Sequence, residues 1–310
     1  MAYPLPPVAL VTRVGTVQGA DPYDFYLREG SAVRGRIERM LPADWSWAGK
    51  RALDFGCGSG RVLRHFLELD PAPELWGCDI DGASIEWLQA NLKPLHVFRN
   101  ELMPPLPVQD GFFDLIWATS VFTHIDRWSE WLLEMHRVLA PGGVLIASWL
   151  GEGIWDAMVG EPYRPAEIGV TVLRHWQVGG AWVFHSEWWL REHWGRAFDV
   201  LAITPPPRLP DGSPEVTHSY IALRAKPGQF TAAELERPAP EEPRELAGMQ
   251  TNLRLLRAET DGLLDGSIEG PEPEPTSGWR PGPRLRQTLR RSPLADPLRN
   301  VRRELRARRR

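Results

Sequence analysis

Apolar positions between residues 22 and 225 follow two alternating rhythms. Tyr23, Phe25, Tyr26, Leu27, Val33, Ile37, Met40 and Leu41 form a helical stripe and predict a helix over 22–41. Short apolar runs predict strands over 51–55, 75–79, 96–99, 113–118 and 144–149. Between them the apolar residues fall three or four apart. Val62, Leu63, Phe66 and Leu67 predict a helix over 60–69, and Ile85, Leu88 and Leu92 one over 84–92. Trp128, Trp131, Leu132, Met135 and Leu139 predict another over 127–139, with Pro141-Gly142-Gly143 as its stop. Strands alternating with helices imply a parallel sheet.

The rhythm changes after residue 150. Trp155, Trp176, Trp182, Trp188, Trp189 and Trp194 crowd into 150–197 with His175, His185 and His193. Two readings fit: a hairpin of 170–176 and 181–185 across Gly179-Gly180, or a Trp-rich helix packed on the sheet. Residues 198–204 and 219–224 predict the sixth and seventh strands. Further on, Leu246, Met249, Leu253, Leu256 and Leu263 predict a helix that packs on a surface or self-associates. Residues 1–20 read as an irregular lead-in, and 265–278 as a disordered linker by composition.

The first strand ends in a glycine turn. Gly56, Gly58 and Gly60 follow the apolar run Ala52, Leu53 and Phe55 at once. Glycine serves where the backbone takes φ > 0 and a ligand must come close. A helix N-terminus directly after such a turn offers free N–H groups. The next apolar run, Leu75-Trp76-Gly77-Cys78, ends at Asp79, 19 residues past Gly60. An acid at that place holds a ribose diol in nucleotide-binding α/β folds. The dinucleotide fingerprint G-x-G-x-x-G/A is not met, because Arg61 stands where its last small residue belongs. The spacing is G-x-G-x-G, with Asp54 two residues before the first glycine.

That arrangement resembles motif I of the class I S-adenosylmethionine (SAM) methyltransferases. Three more stretches continue the resemblance in order. Gly77-Cys78-Asp79-Ile80-Asp81 resembles the family's ribose-binding strand end, and residues 104–125 its fourth-strand motif. Residues 133–146, with Arg137-Val138-Leu139-Ala140-Pro141-Gly142-Gly143, resemble its helix–turn–strand. The resemblance implies an α/β fold: a Rossmann-like, seven-stranded, mostly parallel sheet with helices on both faces, followed here by a partly disordered C-terminal tail. It divides the chain into an N-terminal helical cap (1–45), the methyltransferase domain (46–225, with 150–197 as an acceptor-side insertion), a linker with a short helix (226–278) and an Arg-rich tail (279–310).

The resemblance also assigns roles, with S-adenosyl-L-methionine as cofactor. The backbone of Gly56, Cys57, Gly58 and Gly60 would approach the methionine part and the ribose. Asp54 would orient the loop and the donor's amino group, and Asp79 would accept from both ribose hydroxyls. Ile80 would lie against adenine, with Asn100, or Glu101 in its place, at the adenine amine. Ala118, Thr119 and Ser120 would face the sulfonium. Tyr23 and Tyr26 would either cover the donor or pack in the core. A hydroxyl acceptor needs its proton removed, and histidine has the intrinsic pKa for this. His124 and His185 are the candidates. No metal-ligand constellation stands out, so no metal is assigned.

The wording of residues 53–61, 104–107 and 120–124, and the ending with Trp279-Arg280 and Pro297-Leu298-Arg299, resembles bacterial methyltransferases that occur with glycosyltransferases in surface-polysaccharide synthesis. This implies a small-molecule or glycan acceptor, methylated on a hydroxyl. Charge changes the picture at one end. Residues 280–310 carry twelve Arg against Asp296 and Glu304, a balance of +10 in a chain of net charge −4, which leaves −14 on the rest. On a helix from Leu298, the residues Leu298, Val301 and Leu305 make a narrow apolar stripe flanked by arginines, a pattern suited to an anionic membrane surface. A solvated basic end and a nucleic-acid contact are the other readings. The acidic body disfavours tracking a phosphate backbone. A SAM-fold scaffold of a membrane-associated polysaccharide complex is the reading from another functional class. Cys57 and Cys78 are the two cysteines, read as packed and reduced in a cytoplasmic setting. No apolar run of membrane-spanning length occurs.

Overall fold

The computed structural model describes residues 3–14, 21–173 and 181–265. His175, Trp176, Gly179, Gly180, the linker 266–278 and the Arg-rich tail 279–310 lie outside the described residues.

Nine strands form two sheets among the described residues. The large sheet joins β1 (Arg51–Phe55), β2 (Glu74–Asp79), β3 (His96–Arg99), β4 (Phe113–Ala118), β5 (Leu139–Trp149), β8 (Phe198–Thr204) and β9 (Ser219–Ala225) in the order β3-β2-β1-β4-β5-β9-β8. The first five in that order run parallel, while β9 is antiparallel to both β5 and β8. The order reverses between β1 and β4, so their carboxyl ends open a crevice at the switch point, where open α/β sheets bind ligands.

The central strands are buried on both faces, and successive side chains alternate between two cores. Leu53, Phe55, Ile116 and Ala118 enter one core with Trp131, Met135, Leu190 and Trp194. Ala52, Leu115 and Trp117 enter the other with Val33, Ile37, Phe66, Ile85 and Leu88. The helices supply the outer walls. Of these, α1 (Val8–Val11) and α2 (Pro22–Met40) precede the sheet, and α3 (Gly82–Asn91) and α4 (Trp128–Val138) cross between strands. Next come α5 (Glu152–Val159), α6 (Glu187–His193), α7 (Ala232–Glu236) and α8 (Arg244–Asp265). Asp21 caps α2, its side chain accepting from Tyr23 N and Asp24 N, with Pro22 in the first turn.

Three expectations change. The helix expected over 60–69 is absent; a 3₁₀ turn, Leu63–Phe66, stands in its place. Gly58 and Gly60 hold φ of 50° and 83°, outside the right-handed region, and Pro71 follows soon after, so little chain is left in which an α-helix can propagate. The free N–H groups expected from a helix N-terminus are therefore not offered there; within the turn, the N–H groups of Gly56 and Cys57 donate to Cys78 O, that of Gly58 to Asp79 Oδ2 and that of Gly60 to Cys57 O. Pro141-Gly142-Gly143, expected as the helix stop, lies inside β5, which starts at Leu139 directly after α4 ends at Val138 and passes a register shift opposite Phe113 and Leu115. The lead-in carries a helical turn, α1, whose Leu10 and Val11 are buried.

Both readings of the Trp-rich interval hold in part. β6 (Val170–Leu173) pairs antiparallel with β7 (Trp182–His185), and α6 follows with Trp188 and Trp189 packed into the core. Trp155 and Phe184 join Leu150, Ile168 and Leu173 in a separate small core. The tryptophans expected to receive an acceptor are thus mostly packing residues. Trp182 is the exception among those described, half-buried with its ring 5.5 Å from the His124 ring.

Candidate functional site

The glycine turn is built by the strand that precedes it and the strand beside it. Gly56 N and Cys57 N both donate to Cys78 O, at 2.8 and 2.9 Å, which holds the turn against the end of β2. A Cβ at Gly56, where φ is +78°, would stand 2.3 Å from Cγ2 of Val121. Glycine is required there on both counts. The N-terminal elements clamp the turn from outside. The Tyr26 hydroxyl donates to Ser59 O at 2.8 Å, and the Ser59 hydroxyl donates to Leu10 O at 3.3 Å. Arg13 reaches across to both carboxylate oxygens of Asp81 at 2.7–2.8 Å. Of the two tyrosines proposed as covers, Tyr26 is a core residue that fixes the turn, and Tyr23 is half-buried.

Asp54 lies under the turn, 2% exposed. Burial pushes its carboxyl up to about 7, and the negative charge of Asp79 acts in the same direction. The Trp117 indole opposes this, though its N–H makes no hydrogen bond among the described residues. Asp54 Oδ2 has no hydrogen-bond partner among the described residues. Asp79, at the end of β2, accepts from Gly58 N through Oδ2 at 2.7 Å and from Asp81 N through Oδ1 at 2.8 Å. Burial raises its pKa against the opposing effect of those two N–H groups.

Ile80 follows Asp79 directly, and Asn100 follows β3 beside it. Ile80 is 49% exposed beside Asp79, an apolar surface without a roof among the described residues. Asn100 turns inward, 6% exposed; its Nδ2 donates to Glu101 O at 2.8 Å, while its buried Oδ1 has no partner among the described residues. Glu101 itself is exposed. Between the two alternatives for the adenine amine, the structure places Asn100 inside and Glu101 outside. Ala118 is buried at the end of β4, with Thr119 half-buried after it. Ser120 follows in the left-handed region, at φ 61°, with its N–H donated to Ser148 Oγ at 2.7 Å. A non-glycine residue in that conformation is often found at a functional site.

A buried polar atom without a partner is costly, and among those of the described residues Asp54 Oδ2 and Asn100 Oδ1 are the ones at the ends of β1 and β3, on either side of Asp79. Asp54 Oδ2 suits a cationic ammonium, Asn100 Oδ1 suits an amine donor, and the lone pairs that Asp79 retains suit a diol. These residues fit the aminoacyl nucleoside that the sequence motifs imply. Among the described residues, no group of three or more His, Cys, Asp or Glu is arranged to hold a metal ion.

The two candidate bases separate. His124 is exposed in the loop after β4, and its Nδ1 lies 2.9 Å from Ala181 O. A carbonyl only accepts, so Nδ1 carries a proton at this contact and Nε2 is the nitrogen not engaged by it. His185 is 0% exposed, wedged against Trp189 and Trp194 at ring distances of 5.4 and 5.6 Å. Burial holds its pKa down at about 3. His185 is therefore a neutral core residue, too enclosed and too weakly basic to take an acceptor's proton.

The sequence reading missed His218, Tyr220 and Arg36. Tyr220 opens β9 opposite Ser148 of β5, and Arg36 of α2 lies over its ring, 5.8 Å from the centroid. Burial holds the His218 imidazole down at about 4, with the charges of His124, Arg61 and Arg36 adding to the effect. No local motif marks these residues; only the pairing of β9 with β5 brings them beside β4.

Residues 53–147 match a protein family described as a methyltransferase domain. Among curated proteins, the chain is 31% identical over 147 residues to an uncharacterized 37.1 kDa protein in transposon TN4556 of Streptomyces fradiae, covering 46% of this chain and 41% of that protein. It is 27% identical over 179 residues to phthiotriol/phenolphthiotriol dimycocerosates methyltransferase 1 of Mycobacterium ulcerans, covering 54% and 61%. The chain thus spans about half the length of these curated relatives. Among solved structures, an S-adenosylmethionine-dependent methyltransferase from Mesorhizobium loti superposes with a TM-score of 0.48 at 17% identity, over 63% of this chain and 99% of that one.

Proposed function

We propose that this protein, built on a methyltransferase domain whose cofactor is S-adenosylmethionine, methylates a hydroxyl of a small-molecule or glycan acceptor. When bound, the cofactor supplies an activated methyl group, and the acceptor oxygen gains a C–O bond as the C–S bond breaks and its proton leaves. The chain's own task is alignment and proximity. Asp54 and the glycine turn would hold the amino-acid end, Asp79 the ribose, and Asn100 with Ile80 the adenine. The observation that carries this reading is the enclosed pair of unpartnered acceptors, Asp54 Oδ2 and Asn100 Oδ1, on either side of Asp79. His124 Nε2, beside the end of β4, would take the acceptor's proton.

The resemblance to methyltransferases of surface-polysaccharide synthesis supports a glycan or its lipid-linked precursor as acceptor. The Arg-rich segment 279–310 would then hold the domain reversibly at the inner face of an anionic membrane. Each Arg near such a surface contributes about 1 kcal/mol. Among the described residues no helix is long and apolar enough to cross a membrane. Incubation with methyl-labelled S-adenosylmethionine and fractionated cell extract tests the acceptor. Label in a saccharide or glycolipid fraction is expected, and label confined to nucleic acid or protein contradicts the reading. Sedimentation with anionic vesicles tests the tail: full-length protein should pellet at low salt and a 1–279 truncation should not.

A further inference from the structure

Two arginines act on Asp79 through a single peptide unit. Asp79 and Arg99 are register partners on the neighbouring parallel strands β2 and β3. Beyond β2 the chain passes through Ile80 and Asp81 into α3. The peptide group joining Ile80 to Asp81 is held at both ends. Its C=O accepts from Nε of Arg99 at 3.1 Å, and its N–H donates to Oδ1 of Asp79 at 2.8 Å. The other carboxylate oxygen, Oδ2, accepts from Gly58 N at 2.7 Å. Each oxygen of Asp79 therefore engages one backbone N–H and keeps a further lone pair. The Asp81 side chain ties down the far side of the same peptide. Asp81 stands at the N-cap of α3 but makes no side-chain cap bond. Its carboxylate accepts instead from Nη1 of Arg13 through both oxygens, at 2.8 and 2.7 Å, and from the Ser84 hydroxyl at 2.6 Å.

A helix N-terminus favours anions over cations, so α3 itself gives no reason for two arginines to meet at its start. Their bonds give the reason: Arg99 ends on the C=O of Ile80 and Arg13 on the carboxylate of Asp81, the two residues that share the peptide. A peptide unit is planar, so a C=O held in one direction fixes the direction of the N–H on its other side. A C=O that accepts from a guanidinium also makes that N–H a stronger donor. We infer that Arg13 and Arg99 are positioning residues for the donor's ribose. They fix the Ile80–Asp81 peptide, whose N–H aims the Asp79 carboxylate so that the lone pair left on each oxygen meets one hydroxyl of the diol. Neither arginine has to touch the ligand. Both are exposed at the surface, where an ion pair adds little to stability, so their effect falls on the aim of Asp79 rather than on the fold. The inference rests on the donor reading above.

Calorimetric titration of the full-length protein with S-adenosylhomocysteine and with its 2′-deoxyribose analogue provides the test. The wild type should bind S-adenosylhomocysteine about ten-fold more tightly than the analogue, which leaves one Asp79 oxygen without its hydroxyl. Asp79→Ala sets the limit, at which this preference is gone. The double variant Arg13→Gln/Arg99→Gln should narrow the preference to about three-fold or less, because a carboxylate no longer aimed gains less from the second hydroxyl. Arg13→Lys/Arg99→Lys should recover part of it, since each arginine uses a single nitrogen in these bonds. Thermal melts check that each variant is folded. Absence of S-adenosylhomocysteine binding by the wild type, or equal binding of the two ligands, overturns the donor reading and this inference with it. A preference in the glutamine variant equal to that of the wild type, including an equal loss of affinity for both ligands, overturns the inference alone.

Discussion

Gly58 donates its backbone N–H to Oδ2 of Asp79 over 2.7 Å, joining the middle of the glycine turn to the end of β2. The bond gives Asp79 two tasks. It tethers the turn, and it aims a carboxylate with spare lone pairs into the crevice. Gly58 can take part because its φ of 50° turns the N–H toward β2. If Asp79 holds a ribose as proposed, the shape of the turn and recognition are coupled at one carboxylate.

Asp54 should make donor affinity depend on pH. Its folded carboxyl has a pKa of about 7 because burial disfavours the charge. A cationic ammonium beside it favours the charged form, so donor binding releases a proton wherever the free carboxyl is protonated. S-adenosylhomocysteine affinity should rise as pH increases from 6 through about 7 and level off above. Asp54→Asn should flatten that rise. Calorimetry in buffers of different ionisation enthalpy reads the released proton directly.

Gly56 tests the shape of the turn. A Cβ there meets Cγ2 of Val121 at 2.3 Å, and the backbone sits at φ +78°. Gly56→Ala should lower stability by about 1–3 kcal/mol through strain and overlap. Val121→Ala added to it should restore part of the loss, since it relieves the overlap and leaves the strain. Chemical denaturation of the single and double variants measures both contributions.

The buried imidazoles make the fold acid-sensitive. His185 and His218 have folded pKa values of about 3 and about 4, both lowered by burial. An unfolded histidine titrates near 6.5. Each lowered group contributes stability that is full above the unfolded pKa and declines as pH falls below it toward the folded value, because only the unfolded chain takes up the proton. Melting temperature should fall steadily between pH 6.5 and about 4, with uptake of about one proton per imidazole on unfolding. His185→Phe should reduce that slope. If it also leaves methyl transfer intact, His185 is confirmed as a core residue.

The strand–turn–strand frame of the candidate donor site was legible in the sequence because its signals are local. Asp54 and the glycines are one turn of chain, and Asp79 ends the next apolar run. The central strands were equally clear, since β4 is apolar on both faces, with Leu115, Ile116, Trp117 and Ala118 all fully buried. The segment after Gly60 misled because helical spacing says nothing of φ, and two positive-φ glycines delay the helix until only a 3₁₀ turn fits. Trp188, Trp189 and Trp194 left two readings open, because an aromatic that packs α6 onto the sheet carries the same letter as one that stacks on a ligand; the packing reading holds for these three. Arg36, His218 and Tyr220 were invisible because α2 and β9 lie at opposite ends of the domain and meet only across the folded sheet.

Titration of the full-length protein with S-adenosylhomocysteine, wild type against Asp79→Ala, measures the central claim most directly. The wild type should bind at micromolar Kd, about −7 to −8 kcal/mol. Asp79→Ala should lose about 1–3 kcal/mol, roughly five- to 150-fold in Kd, through the unpaired ribose hydroxyls and the freed Gly58 N–H. Absence of wild-type binding, or an Asp79→Ala protein with unchanged affinity, would contradict the assignment of this crevice as the donor site.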